Sequence, residues 1–152
     1  MDKETYTGLS IARINRAAEL LQEAEELIAS GRYKSANNRA FYCIEKCMKA
    51  LLAHMQINAD SHNGCLLQFN IHYIKPEIGG FQKGDYKRIA SAERIRNGSD
   101  YDDFYIADKA ECAEVVNTAG DIFRKTVSYL KSFPEYAEVT EAAGAVQPAD
   151  NK

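Results

Sequence analysis

The chain has 152 residues, a mass of 17.0 kDa and a formal net charge of −3, which suits one domain with one core. No apolar run approaches the roughly 18 residues of a membrane span, and the net negative charge argues against a protein that coats nucleic acid electrostatically. The N-terminal segment MDKETYTGLS has no apolar signal core, so we expect a cytoplasmic protein with no membrane partner.

Apolar residues recur at helical spacing along most of the chain, and no long segment alternates with period two. The first apolar stripe predicts a helix from about Thr7 to Ser30, which Gly31 ends. The second stripe predicts a helix from about Tyr33 to Gln56. Its small residues would allow close packing against a neighbouring helix.

A polar connection over residues 58–63 leads into a third, shorter helix, which Cys65 and Phe69 indicate and Pro76 ends. A fourth helix is predicted from about Gln82 to Asn97. Arg96 is in phase with the apolar residues of this helix, so its side chain is expected to face inward at the last turn. Asn97-Gly98 is expected to stop the helix, because Asn and Gly tolerate the left-handed conformation.

The last helix is predicted to start near Asp108, where Asp-Lys-Ala-Glu resembles a capping box. From Pro134 onward the chain is rich in Ala, Glu, Gly and Pro without a sustained stripe, which predicts a disordered tail. We therefore expect an all-α, up-and-down bundle of four to five helices over residues 1–133 and a tail over residues 134–152.

The cysteines show no CxxC pair, and most of them fall within apolar helical patterns, so we interpret them as reduced, buried small hydrophobes: Cys43, Cys47, Cys65 and Cys112. A disulfide or a thiolate metal site remains an alternative. His54 is in phase with the second apolar stripe and is interpreted as a half-buried, hydrogen-bonded residue.

Arg96 allows two interpretations. It could complete the helix dipole and pair with Asp100 or Asp102, which is a modest surface interaction. Alternatively, its planar guanidinium could bind a phosphate or stabilise a phosphorane-like transition state. The neighbouring carboxylates are ambiguous too, because they could cap helices or bind a hard cation.

Three segments follow one another in the order KSANNRAFYCIEKCMKALLAH, SHNG and RIRNGSDYDDFY. Together they resemble the HEPN domain, a small helical domain of toxin–antitoxin and defence modules. The resemblance covers roughly residues 8 to 133. It is greatest to short bacterial HEPN proteins whose fourth helix ends in an Arg…Asp-Tyr-Asp sequence.

The resemblance implies a homodimer that brings two copies of an Arg-polar-x-x-x-His motif together in a cleft. Active members cleave RNA without a metal or other cofactor: the ribose 2′-hydroxyl attacks the adjacent phosphate while Arg stabilises charge and His moves protons. Arg96 and Asn97 match the first two motif positions, and Tyr101 stands where the His would be. These three are the candidate catalytic residues.

The same resemblance implies that Arg96 and Arg39 bind RNA or nucleotide phosphate, and that Asp100 and Asp102 support the turn. Because imidazole titrates near pH 6.5 and phenol near pH 10, endoribonuclease activity is expected to be weakened or lost with Tyr101. Family members are often paired with a minimal nucleotidyltransferase antitoxin, which in some systems attaches AMP to a tyrosine just past the motif. Tyr101 and Tyr105 are the candidate acceptors.

Two other functional classes stay open from the sequence. The bundle could be a non-enzymatic interaction module that binds a partner through its apolar face and its exposed tyrosines, with Arg96 only capping a helix. A metal hydrolase that uses the Asp cluster is the remaining alternative.

Overall fold

A computed structural model of the chain describes residues 1–59 and 62–139. Within these residues it contains five α-helices and no strand: α1 Lys3–Ala29, α2 Tyr33–His54, α3 His62–Phe69, α4 Lys83–Tyr101 and α5 Lys109–Lys131. A π-helical segment, Asn70–Ile74, continues α3, and short 3₁₀ turns lie at Ile78–Gly80 and Pro134–Tyr136. The predicted all-α helical bundle is confirmed. No helix in the described part of the chain is long and apolar enough to cross a membrane.

The second helix lies at the centre of the bundle and contacts each of the other four. Ser10 near the start of α1 donates to the Ala50 carbonyl near the end of α2 at 2.7 Å, so these two helices run antiparallel. Small residues on α2, including Ala36, Ala40 and Cys43, are completely buried. Their size lets α1, α4 and α5 approach the α2 backbone closely, as the sequence predicts.

All four cysteines are buried and free. Burial raises the pKa of the Cys65 thiol to about 12 and that of Cys112 to about 11. A hydrogen bond to Cys47, together with burial, raises the pKa of Cys43 as well. These thiols therefore stay protonated at neutral pH and act as small core side chains.

The predicted end of the fourth helix is wrong, because α4 continues through Asn97-Gly98 to Tyr101. Gly98 is not in the left-handed region; its missing side chain instead leaves room for the Tyr105 ring, which a Cβ would meet at 3.0 Å. The extra turn is stabilised by Ser99, whose hydroxyl donates to the Ile95 carbonyl at 2.9 Å. It is also held by contacts from α2, described below.

The first helix also begins earlier than predicted, at Lys3 instead of Thr7. Asp2 is its N-cap, and the Asp2 carboxylate accepts from the Thr5 backbone N–H at 2.8 Å. The cap is a local interaction that stabilises a first turn without apolar residues. The fifth helix has the predicted N-cap, since the Asp108 carboxylate accepts from the Glu111 N–H at 2.7 Å.

The start of the tail at Pro134 is predicted too early. Residues 134–139 pack on the bundle, with Tyr136 and Val139 buried in the core. The Tyr136 hydroxyl shares a 3.0 Å hydrogen bond with His54, and the His54 ring lies 4.5 Å from that of Phe133. His54 is thus half-buried and hydrogen-bonded, as predicted. The rest of the predicted tail, residues 140–152, lies outside the described residues.

Replacing Tyr136 should therefore destabilise the bundle. We expect Tyr136→Ala to lower the free energy of unfolding by about 3 kcal/mol because it removes a completely buried ring. Tyr136→Phe keeps the ring and should cost about 1 kcal/mol for the lost hydrogen bond. Urea unfolding followed by circular dichroism measures both, with Glu138→Ala, an exposed neighbour, as control. Equal stability of the Ala variant and this control would show that the segment contributes nothing to the core.

Candidate functional site

The last turn of α4 lies against the first turns of α2, and two asparagines of α2 connect them. The Asn37 amide donates to the Ser99 hydroxyl at 3.0 Å. The Asn38 amide donates to the Asp100 carboxylate at 2.9 Å. Asn37 is completely buried, so its hydrogen bond to Ser99 is shielded from water and fixes the distance between the two helices.

Arg96 faces inward at this junction, as its phase in the sequence predicts. Its side chain is only 4% exposed and is surrounded by three aromatic rings. The guanidinium carbon lies 4.8 Å from the centre of the Phe41 ring, 5.3 Å from that of Tyr42 and 5.9 Å from that of Tyr101. Each ring presents a negative face to the cation, an attraction that grows when water is excluded.

The polar partners of Arg96 satisfy only part of its guanidinium. Its Nη1 donates to the Tyr42 hydroxyl at 3.3 Å and lies 3.8 Å from the Asp100 carboxylate. Its Nε–H is buried and has no hydrogen-bond partner among the residues that the structure describes. A buried donor without an acceptor costs about 1–3 kcal/mol, so an acceptor supplied by a ligand would be favourable here.

The carboxylates of Asp100 and Asp102, close to Arg96 in the chain, make different contacts. Asp100 accepts from Asn38 and lies beside Arg96. The backbone N–H of Asp102 closes the end of α4 by donating to the Gly98 carbonyl at 3.1 Å, and the Asp102 carboxylate accepts from the Phe104 N–H at 3.0 Å. Both therefore support the turn. Across residues 1–59 and 62–139, no group of three His, Cys, Asp or Glu residues could hold a metal ion.

A cleft of about 480 Å³ opens where α2 and α4 meet. Both helices contribute to its lining: Lys34, Ser35, Asn38, Arg39, Ser99, Asp100 and Tyr101. Arg96 does not line the cleft and lies beneath Tyr101, whereas Asn97 is exposed on another side of the helix. The structure thus brings Arg39, Asp100 and Tyr101 together around the cleft but leaves Asn97 outside it.

Two cations at the cleft differ in how firmly they are held. The Arg39 Nε lies 2.9 Å from the Glu23 carboxylate of α1, and its Nη1 donates to the Asn38 side chain at 2.5 Å. Lys34 is exposed and forms no ion pair within the described part of the chain. Lys34 was not predicted from the sequence; it lies in KSANNRA at the start of α2, one turn before Asn37.

The two candidate tyrosines have different surroundings. Tyr101 is 74% exposed. Tyr105 is partly buried against Gly98, and its hydroxyl donates to the Glu111 carboxylate. Desolvation and the Glu111 carboxylate raise the pKa of Tyr105 to about 12. Of the two hydroxyls, that of Tyr101 is therefore the one accessible to a reagent or partner.

An exposed apolar patch follows α4. Its members are Tyr101, Phe104, which is 92% exposed, and Ile106, which is 86% exposed. Three large apolar side chains within six residues therefore remain in contact with water. The patch adjoins the cleft through Tyr101, which belongs to both.

Comparisons with known proteins identify the family of the chain. The family model of the HEPN domain matches residues 12–130, which is most of the chain. A protein of Methanocaldococcus jannaschii named "Putative toxin MJ0142" is 36% identical over 120 residues, which cover 78% of this chain and 80% of that protein. A Thermotoga maritima protein named "UPF0332 protein" is 31% identical over 91 residues, with 51% of this chain and 69% of that protein covered. The chain therefore belongs to the HEPN domain family.

Proposed function

We propose that this chain is the HEPN component of a toxin–antitoxin or defence-type module and that it binds RNA or nucleotide phosphate at the cleft beside Arg96. The family membership and the name of the archaeal relative support a toxin-type module. The observation that carries the ligand assignment is the buried Arg96 guanidinium, with an unsatisfied Nε–H, next to a cleft that contains Lys34 and Arg39.

The charges at the cleft suit a phosphate. Lys34 and Arg39 reach it from α2, and the planar Arg39 guanidinium, which already contacts Glu23 and Asn38, can take a phosphate oxygen as a further acceptor. Asp100 is the acidic residue among the lining side chains, and its carboxylate is occupied by Asn38 and Arg96. The site is small and local, which reconciles phosphate binding with a net charge of −3 for the chain.

Access to Arg96 depends on Tyr101. The Tyr101 ring covers the guanidinium from the cleft side and is the most exposed of the three rings around it. Rotation of an exposed side chain is fast, so a phosphate that enters the cleft can displace the ring and accept from the Arg96 Nε–H. The displaced ring remains available to stack on a base, an interaction worth about 1–3 kcal/mol.

The active form in this proposal is a homodimer. The patch of Tyr101, Phe104 and Ile106 leaves large apolar area in water, and a second copy that covers it would gain about 25 cal/mol per Å² of apolar surface buried. Because the patch adjoins the cleft, such a contact would bring two Arg96 sites close together and form one longer phosphate-binding groove.

Within this proposal, RNA cleavage is metal-independent and weak. None of the seven residues that line the cleft is a histidine, and a phenol is a poor proton acceptor at neutral pH. Loss of a general acid–base group typically lowers the rate by 10²–10⁴-fold. The remaining rate enhancement would come from Arg96, Arg39 and Lys34, which position the phosphate and stabilise its developing charge.

The exposed Tyr101 hydroxyl is also the proposed modification site. A nucleotidyltransferase partner needs an acceptor that it can reach, and Tyr101 satisfies this requirement, whereas the Tyr105 hydroxyl is engaged by Glu111. An AMP group on Tyr101 would place a phosphate at the cleft entrance. It would therefore compete with RNA for the same cations.

Binding can be tested with a labelled single-stranded RNA followed by fluorescence anisotropy at several salt concentrations. Lys34→Ala and Arg39→Ala should each weaken binding and each reduce the slope of log K against log salt by about 0.7, because each removes one phosphate contact. Lys131→Ala, which removes an exposed lysine at the far end of α5, serves as the matched control. If the wild-type chain binds neither the RNA nor AMP, or if Lys131→Ala weakens binding as much as the two cleft variants do, the cleft is not the ligand site.

Cleavage can be tested in EDTA with analysis of product ends. The wild-type chain should give traces of 2′,3′-cyclic phosphate, and Tyr101→Phe should give about as much, because the phenol contributes little proton transfer at neutral pH. Tyr101→His restores an imidazole and should raise the rate at pH 7 by about 10²-fold. A Tyr101→His variant no faster than wild type, or products that require a divalent metal, would contradict the proposed chemistry.

The second candidate function is a non-enzymatic interaction module that uses the exposed patch, with Arg96 only capping α4. In that case Arg96→Ala lowers the free energy of unfolding by at most about 1 kcal/mol and leaves partner binding unchanged. Because three rings and Asp100 surround Arg96, we instead expect a loss of at least about 2 kcal/mol. Arg94→Ala, two residues earlier and exposed, should cost less than about 0.5 kcal/mol. Urea unfolding of the two variants separates these expectations.

A further inference from the structure

A second groove lies at the opposite end of α4 from the Arg96 site. It has a volume of about 390 Å³ and runs between the π-helical segment and the first turns of α4. Its lining residues are Asn70, Ile74, Lys75, Glu77, Lys83, Tyr86 and Lys87. Tyr86 precedes Tyr101 by 15 residues on the same helix, which separates the two sites by about 22 Å at 1.5 Å per residue.

Exposed apolar side chains lie on the helical segment that forms one side of this groove and on the α4 side. Leu67 is 57% exposed and Ile71 is 44% exposed, and Tyr86 is the third large apolar side chain that reaches solvent here. Leu67, Ile71 and Lys75 follow one another at intervals of four in a continuous helical segment, which places them on one side of it. The apolar stripe of Leu67 and Ile71 therefore leads into the groove.

The rim of the groove is basic in an otherwise acidic chain. Lys75, Lys83 and Lys87 line it, with Glu77 as the acidic residue of the lining. None of the three lysines forms an ion pair with the residues that the structure describes. By contrast, Lys125 of α5 lies 2.8 Å from the carboxylate of Asp85, which is on α4.

We propose that this groove is a docking site for a short acidic amphipathic helix of a partner protein. The apolar stripe and Tyr86 would receive the helix's large apolar side chains, and Lys75, Lys83 and Lys87 would meet carboxylates on its flanks. A groove between two helical elements is the shape that accepts an amphipathic helix. Apolar surface combined with unpaired lysines favours such a segment over RNA, whose backbone offers charge but little apolar area.

The test uses a labelled synthetic peptide two heptads long, with leucine at the first and fourth positions of each heptad, glutamate at the fifth and seventh, and the strong helix former alanine at the others. Anisotropy should show binding to the full chain. The Lys83→Glu, Lys87→Glu double variant should weaken binding about tenfold or more because it replaces two cations by like charges, and Ile71→Ser should do the same because it removes an apolar contact. Arg94→Glu, which reverses an exposed charge on α4 outside the groove, is the matched control and should bind normally.

Several outcomes would overturn the proposal. It fails if a peptide with lysine in place of every glutamate binds equally well, or if the groove variants bind the acidic peptide normally. Binding of RNA that is lost in the same groove variants would assign the surface to nucleic acid instead. Lys34→Ala and Arg39→Ala should leave peptide binding unchanged. Failure of the groove proposal can therefore be distinguished from failure of the proposal for the Arg96 cleft.

Discussion

The geometry of the candidate site depends on a guanidinium that is almost entirely removed from water. Moving a cation into a protein interior is costly unless other groups replace its hydration. For Arg96 these groups are the faces of three aromatic rings, the Tyr42 hydroxyl and the Asp100 carboxylate at 3.8 Å. They compensate the charge but leave the Nε–H unsatisfied. The site is therefore stable without ligand and still has one strong donor to offer.

Several features of the fold serve to keep this arrangement in place. Asn37 and Asn38 hold the last turn of α4 against α2, and Gly98 lets the Tyr105 ring close over that turn. As a result, Asp100 stays beside Arg96 and Tyr101 stays above it. The exposed side chains of Phe104 and Ile106 follow directly after this last turn of α4. The cleft and the proposed dimer contact therefore both depend on the conformation of that turn.

The sequence predicts the parts of this structure that follow from periodicity. Apolar stripes located the helices, and the phase of Arg96 within α4 predicted its inward direction. The end of α4 could not be predicted in this way, because Asn97-Gly98 is a local stop signal that long-range contacts from α2 and Tyr105 override. Tyr136 was missed for a similar reason: its burial depends on His54, 82 positions earlier in the chain. The position of Lys34 at the cleft could not be predicted, because exposed lysines occur on most helices and only the fold shows which of them line a cleft.

The account rests on the claim that the buried Arg96 donor receives an acceptor from a nucleotide phosphate. The most direct measurement is the NMR signal of the Arg96 Nε–H, assigned by its absence in Arg96→Lys, before and after addition of AMP. The account predicts that this signal shifts downfield and exchanges more slowly with water as AMP is added, together with changes at Tyr101 and Arg39. An Arg96 signal that does not change while AMP perturbs residues elsewhere would contradict it.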